Sequence, residues 1–322
     1  MMKKLMNLLF SVSVAAVLYA APTAAFAAQE SVDKRLDVPA NVVVTIENMR
    51  GEVEIIGTEE TYAQVRGKLD EYATGMTFEL ADNNLTIRVE MPARGNFSGN
   101  HGSELEIHLP SSAELNISGV SSDFVVRDFS SDVQLNTVSG DIHAHSLRGK
   151  LNLTSVSGDI QSEKLTGRVT LKSVSGDIDD RDGAGSNASY SSTSGDIDVR
   201  TSVSDISAES VSGDVMLDLQ SVSNLRLKSV SGDVKATLAL TRNGRISANS
   251  VSGDVELLFS GAVDANLEAN VSGGGSIVND VNDAQVEESK WGVGANLETR
   301  LGSGSGTIEL TTMSGDIILR KK

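Results

Sequence analysis

Val138-Ser139-Gly140-Asp141-Ile142 is one copy of a phrase that organises the chain. It returns at residues 156–160, 174–178, 193–197, 211–215, 230–234, 251–255 and 313–317. Worn copies stand at Val120-Ser121-Ser122-Asp123-Phe124 and at Val271-Ser272-Gly273-Gly274. The glycines Gly140, Gly158, Gly176, Gly195, Gly213, Gly232 and Gly253 are spaced by 18, 18, 19, 18, 19 and 21 residues, and Gly315 marks the last copy. A fixed period of this length signals a stacked repeat, because one short unit cannot bury its own apolar face whereas neighbouring units can.

One period shows what is stacked. Asp141 to His145 alternates polar with apolar, Leu147-Arg148-Gly149-Lys150 reads as a turn, and Leu151-Asn152-Leu153-Thr154 alternates again. Each period thus holds short strands joined by turns. Aligned periods give columns. Ile142, Ile160, Ile178, Ile197, Val215, Val234 and Val255 form one apolar column; Val138, Val156, Val174, Val211, Val230 and Val251 form another. Ser155, Ser173, Ser192, Ser210, Ser229 and Ser250 lie between them as small spacers. The pattern predicts an all-β, single-stranded parallel β-solenoid of 18–21 residues per coil, with about eleven coils between Asp123 and Asp316. The phrase glycines Gly140, Gly158, Gly176, Gly195, Gly213, Gly232, Gly253 and Gly315 are expected at the corners, where glycine permits a positive φ. The Asp after each is expected to accept local N–H groups of the turn.

The flanks differ. Residues 1–27 read as a cleaved secretory signal: Lys3 and Lys4, an apolar run from Leu5 to Ala21, and Ala25-Phe26-Ala27 as the cleavage site. No later apolar run is long enough to span a bilayer. The mature chain is therefore expected in the periplasm, at the cell surface or outside the cell. Residues 28–118 carry strand-like alternation and a hairpin turn at Ala81-Asp82-Asn83-Asn84, and read as a β-rich cap or as the first distorted coils. Residues 119–322 are the regular solenoid, with an irregular segment at 279–303 that holds the lone Trp291.

Composition narrows the function. The net charge is −17, and without the two leader lysines −19, which disfavours nucleic acid and anionic membranes as partners. With no Cys there is no disulfide or thiolate chemistry.

The iterated phrase, the opening Ile46-Glu47-Asn48-Met49-Arg50-Gly51-Glu52-Val53 and the export signal together resemble the bacterial "putative adhesin" family of unknown function. The resemblance covers roughly residues 38–320. It implies a right-handed parallel β-helix in the cell envelope and brings no catalytic residues with it.

The column Asp141, Asp159, Asp177, Asp196, Asp214, Asp233 and Asp254 could in principle be a calcium ladder, since calcium takes six to eight oxygen ligands. Turn capping is the preferred use, because the Gly-Asp phrase occurs once per period rather than twice and lacks the second glycine of a calcium-binding nonapeptide. His143 and His145 face one way on a strand, but zinc needs further ligands, and the column neighbours of His145 are Arg127, Glu163 and Arg181. A polysaccharide-active enzyme needs distinguished carboxylates in a cleft, and here every repeat acid has equivalents. The resulting expectation is a non-enzymatic exported scaffold or adhesin-like binding module, with no cofactor, no metal and an unspecified protein or glycan partner in the envelope.

Overall fold

The structure, a computed structural model, describes residues 29–322 except 95, 96, 98, 100 and 289–292. The leader and Trp291 lie outside the described residues. Every regular element among the described residues is a β-strand.

The coils pair in parallel and in register. Phe124 lies beside Ile142, Ile142 beside Ile160, Ile160 beside Ile178, and the column continues through Ile197, Val215, Val234 and Val255 to Ile317. All nine side chains are buried. The opposite wall is Leu135, Leu153, Leu171, Tyr190, Ala208, Leu227, Ala248 and Leu310, also buried. Alternation sets this arrangement: every second residue of a strand faces the interior, and stacking places equivalent residues of successive coils in contact.

Between the two walls the chain turns through a residue with left-handed backbone, occupied in successive coils by Asp128, Ser146, Lys164 and Asp182 (φ 66°, 54°, 58° and 54°). Three residues after the last three of these, Gly149, Gly167 and Gly185 also take positive φ.

At both ends, spatial order departs from chain order. Strand Val43–Thr58, the first coil in the chain, is not outermost. It is paired on one side with Glu114–Phe129 and on the other with Asn84–Glu90 and Ser103–Pro110. The last coil is likewise internal. Strands Gly306–Thr312 and Ile317–Lys321 sit between the coil of residues 245–259 and the strands Ala265–Val271 and Ile277–Asn279. The expectation of about eleven coils between Asp123 and Asp316 is corrected accordingly. Nine Asp-bearing corners run from Asp123 to Asp316, and residues 272–276 close a coil beyond them.

Antiparallel strands close the stack. Tyr62–Lys68 lies on Ser103–Pro110 and is covered in turn by Ser31–Asp37, while Gly75–Ala81 lies on Asn84–Glu90. At the other end Ala295–Leu301 lies on Ala265–Val271. The outermost strand Ser31–Asp37 is mostly exposed and carries Lys34 and Arg35, charges of the kind that discourage pairing at an open sheet edge.

Candidate functional site

The repeated phrase forms one edge of the solenoid, and each of its residues has a separate task. The Ser that precedes it closes the corner from inside. Ser155 Oγ accepts the N–H of Gly158 at 2.8 Å, Ser173 that of Gly176 at 2.9 Å, and Ser192 and Ser250 those of Gly195 and Gly253 at 3.0 Å. Ser210 and Ser229 instead donate to the carbonyls of Gly213 and Gly232 at 2.7 and 2.6 Å. These serines are buried, so the exchange satisfies polar groups that water cannot reach.

The phrase glycines are at the corners, but not for their backbone angle: none of them takes a positive φ. What excludes a side chain is the coil below. A Cβ on Gly158 would stand 1.9 Å from the carbonyl oxygen of Gly140, one on Gly176 2.1 Å from that of Gly158, and one on Gly213 2.0 Å from that of Gly195. The expectation of left-handed corners at these positions is thus corrected to one of close backbone approach.

The Asp column bonds between coils rather than within a turn. Asp123 Oδ1 accepts the N–H of Asp141 at 2.9 Å, and Asp141 Oδ1 accepts that of Asp159 at 2.9 Å. The rail continues through Asp177, Asp196, Asp214, Asp233 and Asp254 to Asp316 at 2.7–2.9 Å. Asp316 closes it by accepting the N–H of Ser276 at 2.6 Å. One oxygen of each of these carboxylates therefore holds the next coil in place. Among the described residues no group of three or more His, Asp or Glu is arranged to hold a metal ion.

The Val column faces outward. While the Ile column is fully buried, Val120, Val138, Val156, Val174, Val211, Val230 and Val251 are each exposed by 40–44%. Backbone bonds fix them in register: Ser139 N–H donates to Val120 O, Ser157 to Val138 O, Ser175 to Val156 O and Ser194 to Val174 O. Thr193 fills one rung, Met313 follows Val251, and Met49 precedes Val120. The result is a ridge on which an apolar rail, a Ser rail and an Asp rail run side by side. A Val this exposed leaves roughly 50–60 Å² of apolar surface. Ten rungs then present on the order of 500 Å², near the top of what a monomer shows.

Beside the ridge lies a shallow groove of about 460 Å³, lined by Arg127, His143, His145, Glu163, Asp179 and Arg181 among others. The expected neighbours of His145 are in place: Arg127 and Glu163 flank it, and Arg181 follows Glu163. The groove's charges are mutually engaged. Arg127 pairs with Glu54 at 2.7 Å, and Arg181 bridges Asp179 and Asp198 at 2.6 and 2.8 Å. Lys164, at 2.6 Å, holds the Glu163 carboxyl below its ordinary range, the reverse of what a general acid requires.

One strongly perturbed acid escapes the sequence pattern. Asp180 occupies an interior position where the coils on either side have Ser162 and Val199. It is buried, and accepts from Tyr190 Oη at 2.6 Å and from Ser162 Oγ at 2.7 Å. Burial pushes its carboxyl up to about 6 against the downward pull of those two donors. Enclosed in the core, it reaches no polymer substrate. At the N-terminal end, Arg50 pairs with buried Asp70 at 3.1 Å and donates to the Phe97 and Gly99 carbonyls. Its guanidinium also stands over the Tyr72 ring, 5.4 Å from the centroid.

With the repeated coil and its corner in place, the comparison with known families is decisive. The chain belongs to the Toastrack DUF4097 family. The family model matches residues 41–243 and again 184–320, so it spans nearly all the described strands of this Toastrack chain. No curated protein matches the chain. Among solved structures it is similar to a "putative adhesin" from Parabacteroides distasonis ATCC 8503 (12% identity, covering 91% of this chain and 98% of the other, TM-score 0.48). It is also similar to a "putative adhesin" from Bacteroides fragilis NCTC 9343 (13%, 92% and 98%, TM-score 0.37). A third is a "putative lipid binding protein" from Parabacteroides distasonis ATCC 8503 (15%, 91% and 96%, TM-score 0.43).

Proposed function

We propose that this Toastrack protein is an exported, right-handed β-solenoid that serves the cell envelope as a non-enzymatic scaffold or adhesin-like binding module. The observation that carries this reading is the ridge: three ladders of apolar, hydroxyl and carboxylate groups that repeat with every coil. No rung is chemically singled out. Such a surface suits an extended contact, as in other repeat proteins, better than a reaction at one point. The acids of the neighbouring groove are engaged by cations, which further favours binding over hydrolysis or elimination.

The test is cosedimentation of the purified chain with isolated cell envelopes, with release of reducing ends followed in the same samples. Saturable binding without product, lost in the double variant Val156→Glu/Val211→Glu, is the expected result. Both positions are exposed, so the variant leaves the core untouched. Product release, or binding indifferent to the ridge, overturns the proposal.

A further inference from the structure

The ridge restricts what can lie along it. Its rungs are coil spacings, about 4.8 Å apart, and they continue from Met49 to Met313 without a charged side chain in the apolar rail. A partner must match that spacing over ten rungs to cover the rail. An α-helix advances about 5.4 Å per turn and is out of step by half a rung after about four rungs. The same-face repeat of an extended strand, about 6.8 Å, fails sooner. A second stack of the same coils stays in step throughout.

We propose that the apolar rail is a self-association surface on which a second copy of this chain packs, ridge to ridge and parallel, about a two-fold axis running along the solenoid. This rests on the ridge being the binding surface named above, and specifies its partner. Charge placement selects the parallel arrangement. Rotation about the long axis keeps the stacks parallel but reverses the order of rails across the contact, so the two Asp rails fall on opposite flanks. Each then meets the column two residues before the partner's Val rail, where Thr154, Lys172, Ser191, Glu209, Lys228 and Asn249 stand. That column has two lysines and a single acid, and Lys228 holds the acid, Glu209, at 2.8 Å. The antiparallel alternative lays one Asp rail on the other, and none of these Asp residues forms an ion pair of its own among the described residues. The area is that of a dimer interface. The apolar rail offers on the order of 500 Å² per copy, and the Ser rail and lysine-bearing column beside it bring the face toward the ~800 Å² per partner of a stable interface.

The test uses the full chain, which has no Cys of its own. Sedimentation equilibrium is expected to show a concentration-dependent dimer. Val174→Glu, which buries a carboxylate pair at the centre of the contact, is expected to raise the dimer Kd by about tenfold or more. Val138→Cys distinguishes the geometries. In the parallel pairing Val138 faces its own copy, whereas in the antiparallel pairing it faces Val230. Mild oxidation should therefore cross-link Val138→Cys to itself and not to Val230→Cys, with exposed Gln134→Cys as the uncrosslinked control. Retained circular dichroism confirms that each variant folds. A chain that stays monomeric at about 100 µM, a Val174→Glu variant with unchanged Kd, or cross-linking only between Val138→Cys and Val230→Cys overturns the inference. If the chain is monomeric while the ridge variant still loses envelope binding, self-association fails and the binding-module reading stands.

Discussion

Replacing Asp180 by Asn changes one buried atom pair and isolates one titration. The carboxyl stands at about 6 in the folded chain against an ordinary 3.8, because burial disfavours its charge more than Tyr190 and Ser162 favour it. The folded state therefore holds the proton more tightly than the unfolded chain does. The group's favourable contribution is complete below about pH 3.8 and is lost as pH rises to about 6; above that it remains absent. About two pKa units correspond to about 3 kcal/mol. Asparagine keeps the shape and cannot ionise, so its own hydrogen-bond gain or loss is a constant offset across pH. The assay is urea unfolding of the wild type and Asp180→Asn at pH 3.5, 5 and 7, read as the difference between them. That difference should move by about 3 kcal/mol in favour of the variant from pH 3.5 to 7. Subtraction removes the other carboxylates, including Asp264, which Ser303 and the N–H of Ser305 hold down at about 2. A difference that stays flat between pH 4 and 7 would refute the argument that burial raises the Asp180 carboxyl above its ordinary value.

Four further outcomes follow from the packing. Gly176→Ala places a Cβ 2.1 Å from the Gly158 carbonyl and should lose about 1–3 kcal/mol in denaturant melts, whereas Gly261→Ala, with nothing within 4 Å, should be near neutral. Arg50→Ala leaves buried Asp70 without its cation and should cost about 3–5 kcal/mol by the same measurement; a loss below 1 kcal/mol would show that the pair is solvated. Asp177→Ala removes the acceptor of one Asp196 N–H, an exposed bond, and should cost only about 1 kcal/mol. Melting temperatures in chelator and in millimolar calcium should coincide, since one oxygen of each rail Asp is already bonded to the next coil; a rise of many degrees with calcium would reinstate a metal-coupled rail.

The regular coils could be read from the sequence because alternation and an 18-residue period jointly fix which residues face inward. The outward turn of the Val column was present in the same signal. Leu151, Leu153 and Ser155 share one parity and are buried, which puts Val156 on the other face. The column is apolar, yet parity places it outside the core. Asp180 was legible as an exception to its column but not as a partner of Tyr190, because that contact crosses the coil interior between residues ten apart. The order of coils at the two ends was not legible at all, for a reason inherent in repeats. Each corner presents the same Gly carbonyl, Asp carboxylate and Val carbonyl to whichever coil lies next, so Asp254 receives the N–H of Asp316, 62 residues on, with the same geometry as neighbours 18 apart. Local sequence specifies a coil but not its neighbour. What settles the neighbour is the set of strands that cannot repeat. Ala295–Leu301 lies antiparallel on one edge of Ala265–Val271 and leaves only the other edge open to a parallel coil. The Gly-rich stretch from Gly302 to Gly306, with Gly302 and Gly304 at positive φ, then returns the chain into that slot. Both edges of the last coil are thereby paired, and the chain's final strand is held inside the stack rather than at a fraying end.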